Sequence, residues 1–182
     1  MKEKKATELC SHFTLGDTAR SLLTPELAAD KYLELLIQNK QYLDAVRVLS
    51  YGLPIRDAIT WANSCARQSS GSTPAEKLST ALDAVDKWLA EPNDDNRRAA
   101  MKAAQQAEFS TAAGSSALAV FLSGGSLAPP DAPIVPPEKY QAANAVVGVV
   151  LLSAIAKEPE KAEAKYQAFL EQGQKIAANV KT

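Results

Sequence analysis

Residues 145–156 read Ala-Val-Val-Gly-Val-Val-Leu-Leu-Ser-Ala-Ile-Ala, an uncharged run whose one polar side chain is Ser153. A helix that is apolar all round has no solvent face and has to be enclosed. A bilayer does not suit as the enclosure: crossing it takes about 20 such residues, and this run is bounded by Asn144 and Lys157. The run is therefore expected to be a central helix surrounded by the rest of the chain. A length of 182 residues, 46% of them hydrophobic, supplies enough apolar material for one such core. Aromatic residues make up only 6%, and alanine is abundant, which favours closely approaching helices over a sheet built from β-branched and aromatic strands.

Start and stop signals divide the remainder into helical segments. Residues 1–22 show no sustained periodicity, with Gly16 and Asp17 interrupting them, and are expected to form a mobile or loosely docked N-terminal arm; residues 23–182 are expected to form one helical domain. Thr24-Pro25-Glu26 combines a capping hydroxyl, a proline suited to the first helical position and an acid, predicting a helix to about Gln38. A second segment carries Leu43, Val46, Val48 and Leu49 and ends at Gly52; a third opens at Leu53-Pro54 with Ile55, Ile59, Ala62 and Ala66 on one face. Thr73 and Glu76 have capping-box spacing ahead of Leu78, Leu82, Val85 and Leu89, and Glu91-Pro92 stops that helix. Asn93 or Asp94 can cap a polar, alanine-rich peripheral helix, which a short apolar helix over residues 112–122 follows. The charged segment after Glu158-Pro159 closes the chain with Tyr166, Phe169, Leu170 and Ile176 inward.

Residues 123–137 break the pattern: five prolines and the Gly124-Gly125 pair exclude a helix and favour extended, polyproline-like backbone. Leu127, Ile134 and Val135 are expected to dock as apolar pegs, making the stretch an ordered strap that forms one wall of a binding surface. Gly148 is expected at a close helix contact, since glycine inside a helix costs stability. The predicted fold is all-α, a single compact orthogonal bundle of about eight helices with one long Pro/Gly-rich loop.

Several site chemistries find little material. The net charge of −1 provides no basic excess for nucleic acid or an anionic membrane. Cys10 and His12 could suggest a nucleophile and base or two metal ligands, but His12 is the sole histidine and no further ligands cluster with the pair. Ser123-Gly-Gly-Ser126 lacks the Lys-Ser/Thr ending of a phosphate loop. No catalytic, cofactor or metal residues are therefore assigned, and an enzyme is not expected. The first five residues are charged and no apolar stretch of secretory length follows, so no signal peptide or membrane insertion is expected and a cytoplasmic location is. The candidate partner-binding residues are Arg56 and Trp61, as interface-type side chains, with Leu127, Pro129 and Pro130 on the strap. For Arg56, the alternative is a pairing with a nearby carboxylate or carbonyl, with Asp57 complementing the helix start.

A family resemblance rests on Tyr42-Leu-Asp-Ala-Val-Arg-Val-Leu49, Leu53-Pro54-Ile-Arg56-Asp57-Ala58-Ile59-Thr-Trp61-Ala62 and Trp88-Leu-Ala-Glu-Pro92 with Asn96-Arg97-Arg98. Its most specific parts are Ala119-Val-Phe-Leu-Ser-Gly-Gly-Ser-Leu-Ala-Pro-Pro130, Val135-Pro-Pro137 and Tyr166-Gln-Ala-Phe169-Leu170-Glu-Gln-Gly173. With these the chain resembles an uncharacterised family of bacterial proteins whose genes often lie in type VI secretion clusters. The resemblance covers roughly residues 23–176 and implies an accessory role in loading or guarding secreted effectors. The expected function is thus an effector chaperone, co-chaperone or adaptor that binds a secreted effector or its adaptor protein. The alternatives are a cytoplasmic immunity protein blocking a toxin, or an enzyme with an unrecognised site.

Overall fold

The central helix is present: in the computed structural model, which describes residues 4–71 and 75–179, the apolar run lies in a helix spanning Gln141–Ile155. Val146, Val149, Val150, Ser153 and Ala154 are buried, and helices from four other parts of the chain pack against it. In chain order the α-helices are α1 (Ala6–Cys10), α2 (Asp17–Ser21), α3 (Ala29–Gln38), α4 (Tyr42–Gly52), α5 (Ile55–Ser70), α6 (Glu76–Ala90), α7 (Asp94–Ala107), α8 (Ala112–Phe121), α9 (Gln141–Ile155) and α10 (Ala162–Asn179). The fold is an all-α bundle, with only an isolated antiparallel bridge between Lys5 and Ala28 as β-type pairing among the described residues. α4, α5, α8 and α10 surround α9, while α6 and α7 stack outward from α8. Among the described residues no single helix is long and apolar enough to cross a membrane.

Eight of these helices, α3 to α10, answer to the segments read from the sequence, and their caps follow local chemistry. Asn93 Oδ1 accepts from the Asn96 amide at 2.8 Å to start α7, and Thr111 Oγ1 accepts from the Gly114 amide at 3.0 Å to start α8. The Thr73 capping position of α6 lies outside the described residues; α6 itself begins at Glu76. α10 is preceded by a 3₁₀ turn, Pro159–Lys161, and the chain bends by 114° between α9 and this last segment.

Three expectations need correction. Residues 4–22 are docked into the core: Ala6, Leu9, Cys10, Leu15 and Ala19 are buried, and the Tyr32 hydroxyl donates to Ala19 O at 2.7 Å. That docking also displaces the start of α3. The Ala6 amide donates to Leu27 O and the Ala29 amide to Lys4 O, so residues 27–29 pair with the N-terminal segment, and Thr24-Pro25-Glu26 forms a turn instead of a first helical turn. Finally, Gly148 is at no close contact, since a Cβ added to it would meet nothing within 4 Å. The close approach falls on α10, where a Cβ at Gly173 would stand 2.3 Å from Leu49 Cδ2 and 2.9 Å from Trp61 Cε2. Gly173 is buried, and its missing side chain lets α10 settle onto α4 and α5.

Candidate functional site

The strap emerges from the C-terminal end of α8 and is held by the first turn of α7. Arg97, only 4% exposed, projects from that turn: its Nη1 donates to Phe121 O at 2.8 Å, its Nη2 to Ser126 O at 2.9 Å, and its guanidinium lies 4.7 Å from the Phe121 ring centroid. Arg98 Nη1 reaches Ala128 O at 3.0 Å. Asp94 joins the two arginines, with Oδ1 accepting from Arg97 Nη2 and Oδ2 from Arg98 Nε, both at 2.6 Å. Hydrogen bonds from Arg98 and then Arg97 hold the Asp94 carboxyl below the usual carboxylate range.

Within the strap, Ser126 acts as a hub. Its hydroxyl oxygen accepts from the amides of Ala128 at 3.2 Å and Val135 at 3.1 Å, while the Leu127 amide donates to Val135 O at 2.8 Å. Gly125 has φ +67° and sits against the Arg97 guanidinium, where a Cβ would come within 2.9 Å; this position therefore requires glycine on both conformation and space. The strap is thus fixed to the bundle by charge-assisted bonds to its carbonyls. The expected pegs contribute less: Leu127 is half-buried, but Val135 is 50% and Ile134 81% exposed. Prolines 133, 136 and 137 cannot donate backbone hydrogen bonds, so this part of the strap is tied through Val135, its amide to Ser126 Oγ and its carbonyl to the Leu127 amide.

Beside the strap is a cleft of about 520 Å³. Gly124, Gly125, Pro136 and Pro137 line it from the strap, Tyr51, Leu53 and Ile55 from the junction of α4 and α5, and Tyr140 from the entry to α9; Lys4 and Lys139 also border it. Tyr140 takes a left-handed conformation, φ 68°, and its ring stacks on Tyr51 at 5.0 Å and meets His12 in a tilted pair at 4.4 Å. The Tyr51 hydroxyl is hydrogen-bonded to Asn144 Oδ1, and burial raises its pKa.

The five sequence-chosen binding residues do not form one surface. Leu127, Pro129 and Pro130 share the strap, with Pro129 and Pro130 exposed. Arg56 is exposed and its guanidinium donates to Leu89 O at the end of α6, the carbonyl pairing that was the alternative for it. Trp61 is a correction: it is fully buried, its Nε1 donating to Phe169 O at 2.7 Å, because five residues along α5 carry it from the surface to the inner face. The residues missed were Arg97 and Arg98, read only as part of a polar peripheral helix, and the tyrosines. Asp94 at three and four residues before the two arginines was the available signal for the latch, but that spacing occurs on many solvated helices.

Chemistry at the remaining candidates is subdued. Burial raises the Cys10 thiol to about 12, with nearby Asp44 adding to the shift, so its thiolate is scarce near neutral pH. His12 is exposed, with its ring tilted at 36° against Tyr140. Residues 123–126 lead into the strap, not into a helix as a phosphate loop requires. Among the described residues no group of three His, Cys, Asp or Glu side chains is arranged to hold a metal.

The model of a family of unknown function, DUF6931, matches residues 32–177. The chain belongs to that family. The match takes in α4 to α9 whole, and with them the strap, its arginine latch and most of the cleft, whereas Lys4 and the docked N-terminal helices lie outside it. No curated protein and no solved structure matches the chain.

Proposed function

We propose that this protein works by binding another protein, as an effector chaperone, co-chaperone or adaptor in type VI secretion, acting in the cytoplasm and without catalysis of its own. The observation that carries the binding role is the strap: a proline-rich segment latched to the bundle by Arg97 and Arg98 and lining a 520 Å³ cleft. A surface already ordered before its partner arrives loses little conformational freedom on binding. The cleft combines apolar walls with tyrosine rings, the composition that favours protein recognition. The link to secretion rests on the resemblance carried by residues 119–130 and 166–173. Co-expression with the products of neighbouring genes, followed by affinity capture, tests both parts. Wild-type protein should retain a secreted effector or its adaptor, and Leu127→Asp combined with Pro129→Ser should lose it while keeping its helical circular dichroism. Capture at wild-type levels by that folded variant would remove the strap from the binding face.

A further inference from the structure

The later half of the strap, whose Pro136 and Pro137 also border the cleft, presents a second chemistry to solvent. Residues 133–138, Pro-Ile-Val-Pro-Pro-Glu, form no helix, turn or bend, and Pro133, Ile134, Val135 and Pro136 are all exposed. Ile134, at 81%, is the most exposed large hydrophobic residue among those described. Prolines fix their own φ near −65° and push the preceding residue toward extended backbone, so a run with prolines at 133, 136 and 137 is biased to the polyproline II conformation. With three residues per turn, Pro133 and Pro136 fall on one edge of such a helix and Ile134 and Pro137 on the next.

Backbone accounting separates two ways of reading this run. A partner adding a β-strand needs a row of free amides, but the three prolines have none. The Val135 amide is engaged by Ser126 Oγ at 3.1 Å and the Glu138 amide by Gln141 Oε1 at 3.1 Å. Only Ile134 keeps an amide without an acceptor among the described residues. The carbonyls of Pro133, Ile134, Pro136 and Pro137, by contrast, accept no hydrogen bond there. Free carbonyls beside exposed proline rings suit an aromatic-walled groove, in which rings pack against proline and side-chain donors meet the carbonyls. Asp131, Glu138 and Lys139, all exposed, flank the run with a net negative charge that complements a basic rim.

We propose that residues 133–137 are a pre-formed polyproline II ligand, recognised by a partner protein through an aromatic-walled groove with basic residues at its edge. This deepens the binding role proposed for the strap and rests on it, but its test uses other probes. The intact chain is titrated against a panel of isolated SH3, WW and EVH1 domains, with a proline-rich peptide as the positive control. At least one domain should bind, the control peptide should displace the chain from it, and Pro133→Ala combined with Pro136→Ala should weaken binding at least tenfold. Pro159→Ala, at an exposed proline ahead of α10 and outside the strap, should leave it unchanged. The proposal is overturned if no domain binds the chain at concentrations where all bind the peptide, if the peptide does not compete, or if the double alanine variant binds as wild type. Peptide competition keeps the test decisive should that variant unfold. Sedimentation of the chain alone adds a further criterion: self-association abolished by Ile134→Asp would assign the edge to a second copy and also overturn the proposal. A negative panel together with loss of effector capture by Leu127→Asp and Pro129→Ser would leave the strap as a binding face and remove only its reading by an aromatic groove.

Discussion

The seat of α10 and the strap are both held against the bundle, but by opposite means. At the seat, Gly173 omits a side chain so that Leu49 and the Trp61 ring can lie against the helix backbone, and the single polar contact of the indole, to Phe169 O, is buried with it. The strap is held by few apolar contacts and by two guanidinium groups that reach its carbonyls, with Asp94 balancing their charge. Shape governs the first region and charge-assisted hydrogen bonding the second. Changes in volume should therefore damage the seat, and changes in donors or in pH should damage the strap.

The largest expected effect is at the seat. Trp61→Ala removes a fully buried ring and should cost about 3–5 kcal/mol in chemical denaturation. A loss below about 1 kcal/mol would place Trp61 outside the core and return it to the list of surface anchors. At the strap, Arg97→Met keeps much of the stem but leaves Phe121 O without its donor and Ser126 O with only the longer bond from Arg98 Nη2 at 3.4 Å, a loss of about 2 kcal/mol. Hydrogen exchange should show the local consequence: the amides of Leu127 and Val135 should lose protection while those of α9 keep theirs. If all amides lost protection together, strap and core would be one cooperative unit and the contrast between them would fail.

Two glycine substitutions sharpen the comparison with smaller effects of opposite sign. Gly148→Ala fills open space on α9 and should stabilise by about 0.5–1 kcal/mol through helix propensity alone. Gly173→Ala gains the same propensity but drives a Cβ into Leu49 and the indole, so overpacking of about 1–3 kcal/mol should outweigh it. Paired thermal melts read both signs, and stabilisation by Gly173→Ala would show that the seat has room.

The smallest effect is electrostatic. The folded-state pKa of Asp94 is lowered, so its contribution is present above the unfolded value of about 3.9 and is lost as pH falls through the still lower folded value. Protection of the strap amides, corrected for intrinsic exchange rates, should hold from neutral pH to about 5 and decline only below about 4. A decline between pH 5 and 7 would indicate that another group controls the latch. Because Asp94 is exposed, added salt should weaken its contribution as well.

Local chemistry made most of the fold legible. Residues 145–156 admitted no solvent face, and α9 is central; Asn93 and Thr111 cap the helices they precede because a side-chain oxygen two or three residues from a free amide needs no tertiary partner. The prolines of residues 123–137 excluded a helix on covalent grounds. The misreadings share a different cause. Thr24 and Pro25 carry a good helix start, but pairing of residues 27–29 with Lys4 and Ala6 overrides it, and nothing near Thr24 announces a partner twenty residues away. An arginine three residues after an aspartate looks the same whether it faces water or, as Arg97 does, the underside of a loop. Likewise, Gly148 and Gly173 both sit in helix interiors, but only the direction in which each faces determines which one allows two helices to touch. Propensity, capping and the hydrophobic pattern act between near neighbours, so the sequence alone determined where helices form and which must be central. Which side chain meets which backbone depends on the crossing of helices distant in sequence, and the tertiary structure decided the latch, the cleft and the seat of α10.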